Sequence, residues 1–154
     1  MSIIKLENVW RSYEMGELQV DALRGISFEV EQGEFLSIMG PSGSGKSTCM
    51  NMIGCLDRPT SGIVEIGGKE TAKMTEKELA ALRNKTIGFV FQQYHLLPNM
   101  TVLENVMLPL RYQGVERTKR IALAKEALEH VDMGDRLSHG PNELSGGQKQ
   151  RVAI

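Results

Sequence analysis

The octapeptide Gly40–Ser47 constrains this chain more than any other feature, because it matches the pattern G-x-x-x-x-G-K-[ST] at every fixed position. Its glycines allow the backbone to curl so that successive N–H groups point at one anion. The apolar run Phe35–Met39 before it predicts a buried strand of a parallel sheet, and Ser47–Leu56 after it has helical character. A chance match in a chain of this length has a frequency of about 1%.

The residue types in this octapeptide predict a triphosphate site, most simply for ATP with Mg²⁺. Lys46 supplies a point charge for the β- and γ-phosphates, and the Ser47 hydroxyl is a candidate magnesium ligand with Thr48 beside it. The competing interpretation is an ordinary glycine- and serine-rich turn, which the flanking strand and helix disfavour. The predicted nucleotide-binding residues of this loop are Gly40, Pro41, Ser42, Gly43, Ser44, Gly45, Lys46, Ser47 and Thr48.

A second glycine-containing motif, Leu144–Gln148, lies about one hundred residues further along the chain. A serine cap followed by two glycines leaves backbone N–H groups accessible at a helix start, which is suited to a second anion. With its continuation Lys149–Ile154, this pentapeptide resembles the signature motif of the ATP-binding-cassette (ABC) ATPases. The resemblance implies that Leu144, Ser145, Gly146, Gly147 and Gln148 close over the ATP of a second, identical subunit in a head-to-tail homodimer.

The resemblance also implies the fold class and the domain organisation. We expect an α/β protein with a P-loop NTPase core, an antiparallel β subdomain on its N-terminal side and a helical subdomain that carries the signature. The whole chain, 1–154, is then one ABC ATP-binding domain. Within it, approximately 1–92 form the nucleotide-binding core and β subdomain, and 93–154 form the helical subdomain.

Two further positions match the family pattern. Tyr13 lies where the family carries an aromatic residue that stacks on adenine, and the competing interpretation is a core tyrosine at a strand end. Gln92 matches a glutamine that contacts the magnesium and communicates with the membrane partner. The resemblance therefore implies that Gln92 is an accessory catalytic residue beside Lys46 and a second metal-contacting residue beside Ser47. Gln93 is the alternative, as is a solvated loop glutamine without a role.

The segments Gly54–Gly62 and Tyr94–Val106 narrow the resemblance to ATPase subunits of macrolide-export and lipoprotein-release transporters. That group implies an integral-membrane permease docked near Gln92–Val106, and through the permease a periplasmic adaptor. The alternative for this segment is that its apolar residues are ordinary core. The residues concerned are Leu96, Leu97 and Met100.

Composition excludes several classes of function. The net charge of −1 argues against nucleic-acid binding, and no stretch approaches the ~18 consecutive apolar residues of a membrane span. The N-terminus lacks the apolar core of a signal peptide. We therefore expect a cytoplasmic protein, and the resemblance to transporter ATPases implies a peripheral position on the inner face of the cell membrane. Cys49 and Cys55 are expected to be reduced, buried thiols, and the histidines His95, His130 and His139 have no ligand spacing.

Local patterns predict several elements. Ser12–Val20 is expected to be a turn or hairpin loop, and Thr86–Phe91 a buried strand. Thr75 with Glu78 and Thr101 with Glu104 predict capping boxes at helix starts. The second of these helices contains Pro109, so we expect it to end early or kink. Further strands are expected at Ile4–Val9, Ile26–Val30 and Ile63–Ile66, and further helices at Arg117–Val131 and from about Ser145.

The sequence ends at Ile154, within the helix that follows the signature. The family continues with a strand aspartate that secures magnesium, a glutamate that positions the attacking water and a switch histidine, and none of these is present. We therefore expect an N-terminal fragment that is aggregation-prone and does not hydrolyse ATP alone, because phosphoryl transfer depends on such positioning.

Three functions stay open at this point. The resemblance favours the ATPase subunit of an export transporter. A non-transport cassette ATPase, of the cell-division or DNA-repair type, is the alternative, although near-neutral charge and the lack of a long coiled-coil insertion argue against repair. The third is a P-loop GTPase or small-molecule kinase. A GTPase would require Asn-Lys-x-Asp, and Asn84-Lys85-Thr86-Ile87 has isoleucine where aspartate is needed.

Overall fold

The computed structural model describes residues 2–16 and 18–154. The chain forms two compact units, Met1–Arg83 and Asn84–Ile154. The first contains an antiparallel sheet and the helix that follows the phosphate loop, and the second is helical. This combination of sheet and helices is the α/β class expected from the sequence.

Four antiparallel strands make the sheet of the first unit, in the spatial order β2-β1-β3-β4. Alternating apolar side chains on the three longer strands are buried and form the sheet's contribution to the core. The strands are β1 (Ser2–Met15), β2 (Leu18–Glu31), β3 (Ser61–Ile66) and β4 (Lys69–Glu70). The buried side chains are Leu6, Val9, Leu23, Val30, Val64 and Ile66.

The hairpin between β1 and β2 is much tighter than the sequence predicts. Only Gly16 and Glu17 separate the two strands, and Glu17 lies outside the described residues. The expected hairpin is present, but the loop bounds Ser12–Val20 are wrong. The reason is cross-strand pairing of polar side chains, since Ser12 lies opposite Asp21 and its hydroxyl donates to that carboxylate at 2.7 Å.

Two predicted strands are absent from the described part of the chain. Residues 35–39 have no regular structure, and the exposed fractions of Phe35 and Met39 are 93% and 85%. The segment Thr86–Phe91 begins in a helix and continues without regular structure. A buried strand requires hydrogen-bonded neighbours and apolar cover on its faces. Neither segment has a ladder partner among residues 2–16 and 18–154, so both predictions are wrong.

Helix α1 (Lys46–Ile53) follows the phosphate loop and buries Cys49 and Met52, while Met50 is exposed. Helix α2 (Glu76–Thr86) buries Leu79. The capping box before α2 is confirmed, because Thr75 N donates to the Glu78 carboxylate at 2.8 Å and Glu78 N donates to the Thr75 hydroxyl at 3.3 Å.

The second unit is built on three helices, α3 (Val102–Tyr112), α4 (Arg117–His130) and α5 (Gly146–Ala153). Thr101 and Glu104 form the predicted capping box of α3. The helix does not end early at Pro109, because α3 continues to Tyr112, and the alternative of a kink stays a prediction. A proline three residues before the end of a helix removes one N–H donor, a small disruption. The core contains Val102, Leu128, Met133, Leu144 and Val152.

Cys49 and Cys55 are free and buried, as predicted, and burial raises the pKa of both thiols. They are therefore unreactive thiols in the core of the first unit. Within the ranges 2–16 and 18–154, no helix combines the length and the apolarity needed to cross a membrane.

Candidate functional site

The phosphate loop Gly40–Ser47 is shaped by glycines where it meets the sheet. Gly45, the N-cap of α1, has φ of +87°, a left-handed conformation that disfavours any side chain. A Cβ at this position would lie 2.3 Å from the carbonyl oxygen of Ala22 in β2. Only glycine therefore allows the loop to approach the strand this closely, which fixes the start of α1 against β2.

Lys46 holds its ammonium over the loop that precedes it. The Nζ atom donates to the carbonyl oxygens of Gly40 at 2.9 Å and Pro41 at 2.7 Å. It also lies 3.4 Å from the Ser44 hydroxyl oxygen. No carboxylate in the described part of the chain forms an ion pair with it. The loop thus carries a cation whose charge is available to an anionic ligand.

The start of α1 adds further donors. The helix begins with the bond from Cys49 N to Gly45 O at 2.8 Å, so the N–H groups of Lys46, Ser47 and Thr48 precede the first helical bond. None of the three has an acceptor among the residues described, and the first turn contains no acidic side chain. These N–H groups, the helix dipole and the Lys46 ammonium suit a phosphate group.

The exposed Ser47 hydroxyl is available as an oxygen ligand for Mg²⁺. In the ranges 2–16 and 18–154, no group of three or more His, Cys, Asp or Glu side chains could hold a metal ion. The Ser47 hydroxyl alone is a donor that fits Mg²⁺, because proteins commonly bind this ion through one or two side chains and the substrate's phosphates.

Tyr13 lies near the end of β1 in a polar cluster that the sequence did not indicate. Its hydroxyl donates to Asp57 Oδ2 at 2.8 Å, and the Arg11 guanidinium carbon lies 4.5 Å from its ring centroid. The spacing of Arg11 and Tyr13 on one strand places them on one face of the sheet, a signal that sequence could have supplied. Asp57 lies in the loop after α1, where no local pattern marks it.

The signature Leu144–Gln148 is the start of α5. Ser145 is the N-cap, its hydroxyl accepts from Gln148 N at 3.3 Å, and Ser145 N donates to Gln148 Oε1 at 2.8 Å. Leu144 is 6% exposed and belongs to the core of the second unit. The predicted helix start is therefore confirmed, and the capping box that holds it is internal to the motif.

The signature glycines differ in their surroundings. A Cβ on Gly146 would lie 3.3 Å from the Tyr94 hydroxyl oxygen, while a Cβ on Gly147 would meet nothing within 4 Å. The Ser145 hydroxyl accepts one hydrogen bond and keeps its own proton for another acceptor. The motif thus presents open backbone and one O–H donor to solvent.

Gln92 and Gln93 occupy an exposed turn in the second unit. The next two residues, Tyr94 and His95, have φ of +61° and +52°, and His95 packs against Phe91 at 4.5 Å between ring centroids. Consecutive non-glycine residues with positive φ are uncommon and mark a constrained turn. Both glutamine side chains are exposed, so the choice of Gln92 stays a prediction.

Asn105 organises the loop between this turn and α3. Its side-chain amide accepts from Leu97 N at 2.7 Å and donates to the carbonyl oxygens of Leu97, Met100 and Thr101 at 2.9–3.2 Å. Leu96 packs against the core, whereas Leu97 is 42% exposed. An open groove of about 500 Å³ lies beside this loop, lined by residues that include Phe91, Leu97, Leu108 and Tyr112.

Comparison with known proteins assigns the chain to a family. Residues 23–154 match the family model described as ABC transporter. An uncharacterized ABC transporter ATP-binding protein of Thermotoga maritima is 58% identical over 152 residues, which are 99% of this chain and 65% of that protein. A macrolide export ATP-binding/permease protein of Paracoccus denitrificans is 51% identical over 152 residues, 23% of its length. The chain therefore spans about two thirds of the first relative.

Solved structures give the same assignment. The ATP-binding cassette MJ0796, solved as a dimer in a post-hydrolysis state bound to ADP and Pi, superposes with a TM-score of 0.88 and 47% identity. The match covers 97% of this chain and 66% of that one. A second dimeric structure of MJ0796, a bacterial ABC transporter cassette, gives a TM-score of 0.90 and 48% identity.

Proposed function

The chain belongs to the ABC transporter family, and from that premise we propose that it is the ATP-binding subunit that powers an export or extrusion transporter. The observation that carries the proposal is the arrangement of Gly40–Ser47, with three unbonded N–H groups at the start of α1 and the Lys46 ammonium above the loop. The relatives that combine this domain with a permease are named as macrolide exporters.

In this proposal the chain's residues bind and orient MgATP. Lys46 exchanges its bonds to the Gly40 and Pro41 carbonyls for bonds to the β- and γ-phosphate oxygens, and the glycine backbone donates to the same oxygens. The Ser47 hydroxyl would hold the magnesium ion. When bound, Mg²⁺ neutralises charge that develops on the phosphates during transfer.

Completion of the site requires a second subunit. The Ser145 O–H and the open backbone at Gly147 offer donors that close over the γ-phosphate of a partner's ATP. The dimeric MJ0796 structures support such a homodimer. No residue among these 154 matches the family's water-positioning glutamate, so we expect the 154 residues alone to bind ATP without hydrolysing it.

The partners and location follow from the same proposal. The groove beside Asn105 and the segment Gln92–Val106 form the surface for an integral-membrane permease, and a periplasmic adaptor is reached only through that permease. The ATPase domain then lies on the cytoplasmic, inner face of the cell membrane. Relatives that carry domain and permease in one polypeptide support this pairing.

Binding of MgATP tests the central claim. Lys46→Ala removes the cation over the loop, and we expect the dissociation constant to rise at least tenfold, because a hydrogen bond to a charged group contributes about 1.5–3 kcal/mol. Lys77→Ala is the matched control, since the Lys77 ammonium lies on the exposed face of α2 and makes no hydrogen bond in the described part of the chain. Equal binding by both variants would refute the proposal.

A further inference from the structure

The carboxylate of Asp57 is fully occupied by donors from β1 and from its own loop. Oδ1 accepts hydrogen bonds from Arg11 Nη2 and from the Arg58 backbone N–H, both at 2.8 Å. Oδ2 accepts hydrogen bonds from Arg11 Nε at 2.9 Å and from the Tyr13 hydroxyl at 2.8 Å. A carboxylate accepts about four hydrogen bonds, so this group has no further capacity.

The side chains in this cluster are constrained in orientation as well as position. Arg11 binds Asp57 with two parallel N–H groups, a planar arrangement that fixes the guanidinium. The exposed fractions of the Arg11 and Asp57 side chains are 24% and 22%, so solvent weakens the pair less than a surface ion pair. The guanidinium in turn covers one face of the Tyr13 ring.

The cluster of Arg11, Tyr13 and Asp57 lies near the phosphate loop, because β1 and β2 connect the two. Gly45 contacts Ala22 in β2, and the neighbouring Asp21 lies opposite Ser12, one residue before Tyr13. Adjacent strands are about 4.8 Å apart, so Tyr13 lies on the order of 10 Å from the loop. An extended ATP molecule spans a comparable distance between its base and its terminal phosphates.

We propose that Asp57 and Arg11 are positioning residues that hold the Tyr13 ring for adenine, which stacks on the face opposite the Arg11 guanidinium. This inference rests on the proposed function, because it assumes that Gly40–Ser47 holds the triphosphate. Arg11 covers one ring face and Asp57 anchors the hydroxyl, so the ring has one available face and one orientation. A ring held in place before binding loses less conformational freedom when the base stacks.

The test distinguishes binding of the base from binding of the phosphates. We would measure, on the full chain, the dissociation constants of magnesium AMP-PNP and of magnesium tripolyphosphate, which lacks the base. Tyr13→Ala is expected to weaken AMP-PNP about tenfold, since base–aromatic stacking is sequence-tolerant but substantial. Tyr13→Phe keeps the ring and removes the bond to Asp57, and Asp57→Asn weakens both bonds from Arg11. Each is expected to weaken AMP-PNP about threefold to fivefold, with tripolyphosphate unchanged.

A double variant tests whether Asp57 affects AMP-PNP binding through the Tyr13 ring. If Asp57 acts through the ring, Asp57→Asn in the Tyr13→Ala background adds no further loss of AMP-PNP binding. Glu76→Gln is the matched control, because it removes the neighbouring ion pair of Arg58 with Glu76 without touching Tyr13. It should leave both ligands unaffected.

The outcomes are distinguishable. A parent chain that binds neither ligand overturns the proposed function itself. A parent chain that binds both, with Asp57→Asn weakening both equally, shows that Asp57 only supports the fold and overturns the inference. Unchanged AMP-PNP binding in Asp57→Asn and Tyr13→Phe overturns it as well. Tripolyphosphate binding by each variant shows that the variant has folded.

Discussion

The phosphate loop and the signature contain the same ingredients, glycines and a serine at a helix start, yet they are stabilised in different ways. The signature is held by its own residues, since Ser145 and Gln148 cap each other and Leu144 lies in the core. The phosphate loop has no side-chain cap, its N-cap Gly45 is shaped by contact with β2, and Met39 before it is 85% exposed. One motif is locally determined, and the other depends on strands distant in sequence.

Substitution of one glycine in each motif should give the largest contrast. Gly45→Ala places a Cβ against the Ala22 carbonyl in a left-handed backbone, so we expect it to lower the free energy of unfolding by about 3 kcal/mol. It should also abolish measurable MgATP binding. Chemical unfolding followed by circular dichroism and nucleotide titration would measure both effects.

Gly147→Ala is the partner experiment in the signature. A Cβ here meets nothing within 4 Å, and alanine favours a helix over glycine by about 1 kcal/mol. We therefore expect unchanged or slightly increased stability, together with weaker ATP-dependent dimerisation, measured by analytical ultracentrifugation. A destabilisation as large as that of Gly45→Ala would remove the distinction between the two motifs.

Truncation of the apolar residue before each motif tests the same contrast through packing. Leu144→Ala removes a buried side chain and should cost about 3 kcal/mol, the usual range for a leucine in a core. Met39→Ala should cost less than about 0.5 kcal/mol, because that side chain is exposed. Thermal unfolding of both variants would measure the difference. Equal losses would show that 35–39 is packed as a strand, as its composition predicts.

Removal of the signature's cap should have an intermediate effect. Ser145→Ala deletes the acceptor of Gln148 N, and loss of such a cap costs about 1 kcal/mol. Ser145→Asn, which keeps a side-chain acceptor, is the matched control and should retain most of the stability. If alanine and asparagine are equivalent in urea unfolding, the capping box does not hold α5.

The smallest expected effect is a dependence on pH. Backbone and hydroxyl hydrogen bonds from Thr101 lower the pKa of Glu104 below its ordinary value of 4.5. A depressed pKa contributes stability above the unfolded value, and this contribution is lost as pH falls through the folded value. Glu104→Gln should remove this acid sensitivity, measured by unfolding between about pH 5 and 3.

The signature provides the contrast for this titration. Its capping box uses Gln148, which carries no titratable group, so the start of α5 should be insensitive to acid in the same range. Gln148→Glu introduces a carboxylate at the same place and should make this helix start acid-sensitive. A pKa of Glu104 that is not lowered from its ordinary value, measured by a carboxylate NMR titration, would contradict the assigned hydrogen bonds.

Sequence predicted the helix caps, whose partners lie three or four residues apart, and also the three strands whose apolar residues alternate, at Ile4–Val9, Ile26–Val30 and Ile63–Ile66. The predicted capping boxes at Thr75 and Thr101 and the predicted serine cap at Ser145 require only local hydrogen bonds, and all three are present. By contrast, the apolar composition of 35–39 and Thr86–Phe91 predicts two strands, which these described residues do not form. Strand formation depends on ladder partners elsewhere in the chain, which composition does not specify.

The candidate site likewise has one part that the sequence predicts and one part that it does not. The donors around Lys46 follow from the octapeptide, because they depend on backbone that the motif itself determines. Asp57 could not be found from sequence, since its partners Arg11 and Tyr13 lie 46 and 44 residues away. The residues that orient a ligand-binding side chain therefore become visible only once strand and loop are placed side by side.

The four hydrogen bonds of the Asn105 side chain have a mechanical consequence. They join the loop from Leu97 to Thr101 to the first turn of α3, so we expect a displacement of the loop to displace the start of the helix as well. The buried Val102 at the start of that helix lies in the same core cluster as Leu144, directly before the signature. We therefore expect a displacement at Leu97 to reach, through the start of α3, the core cluster that contains Leu144.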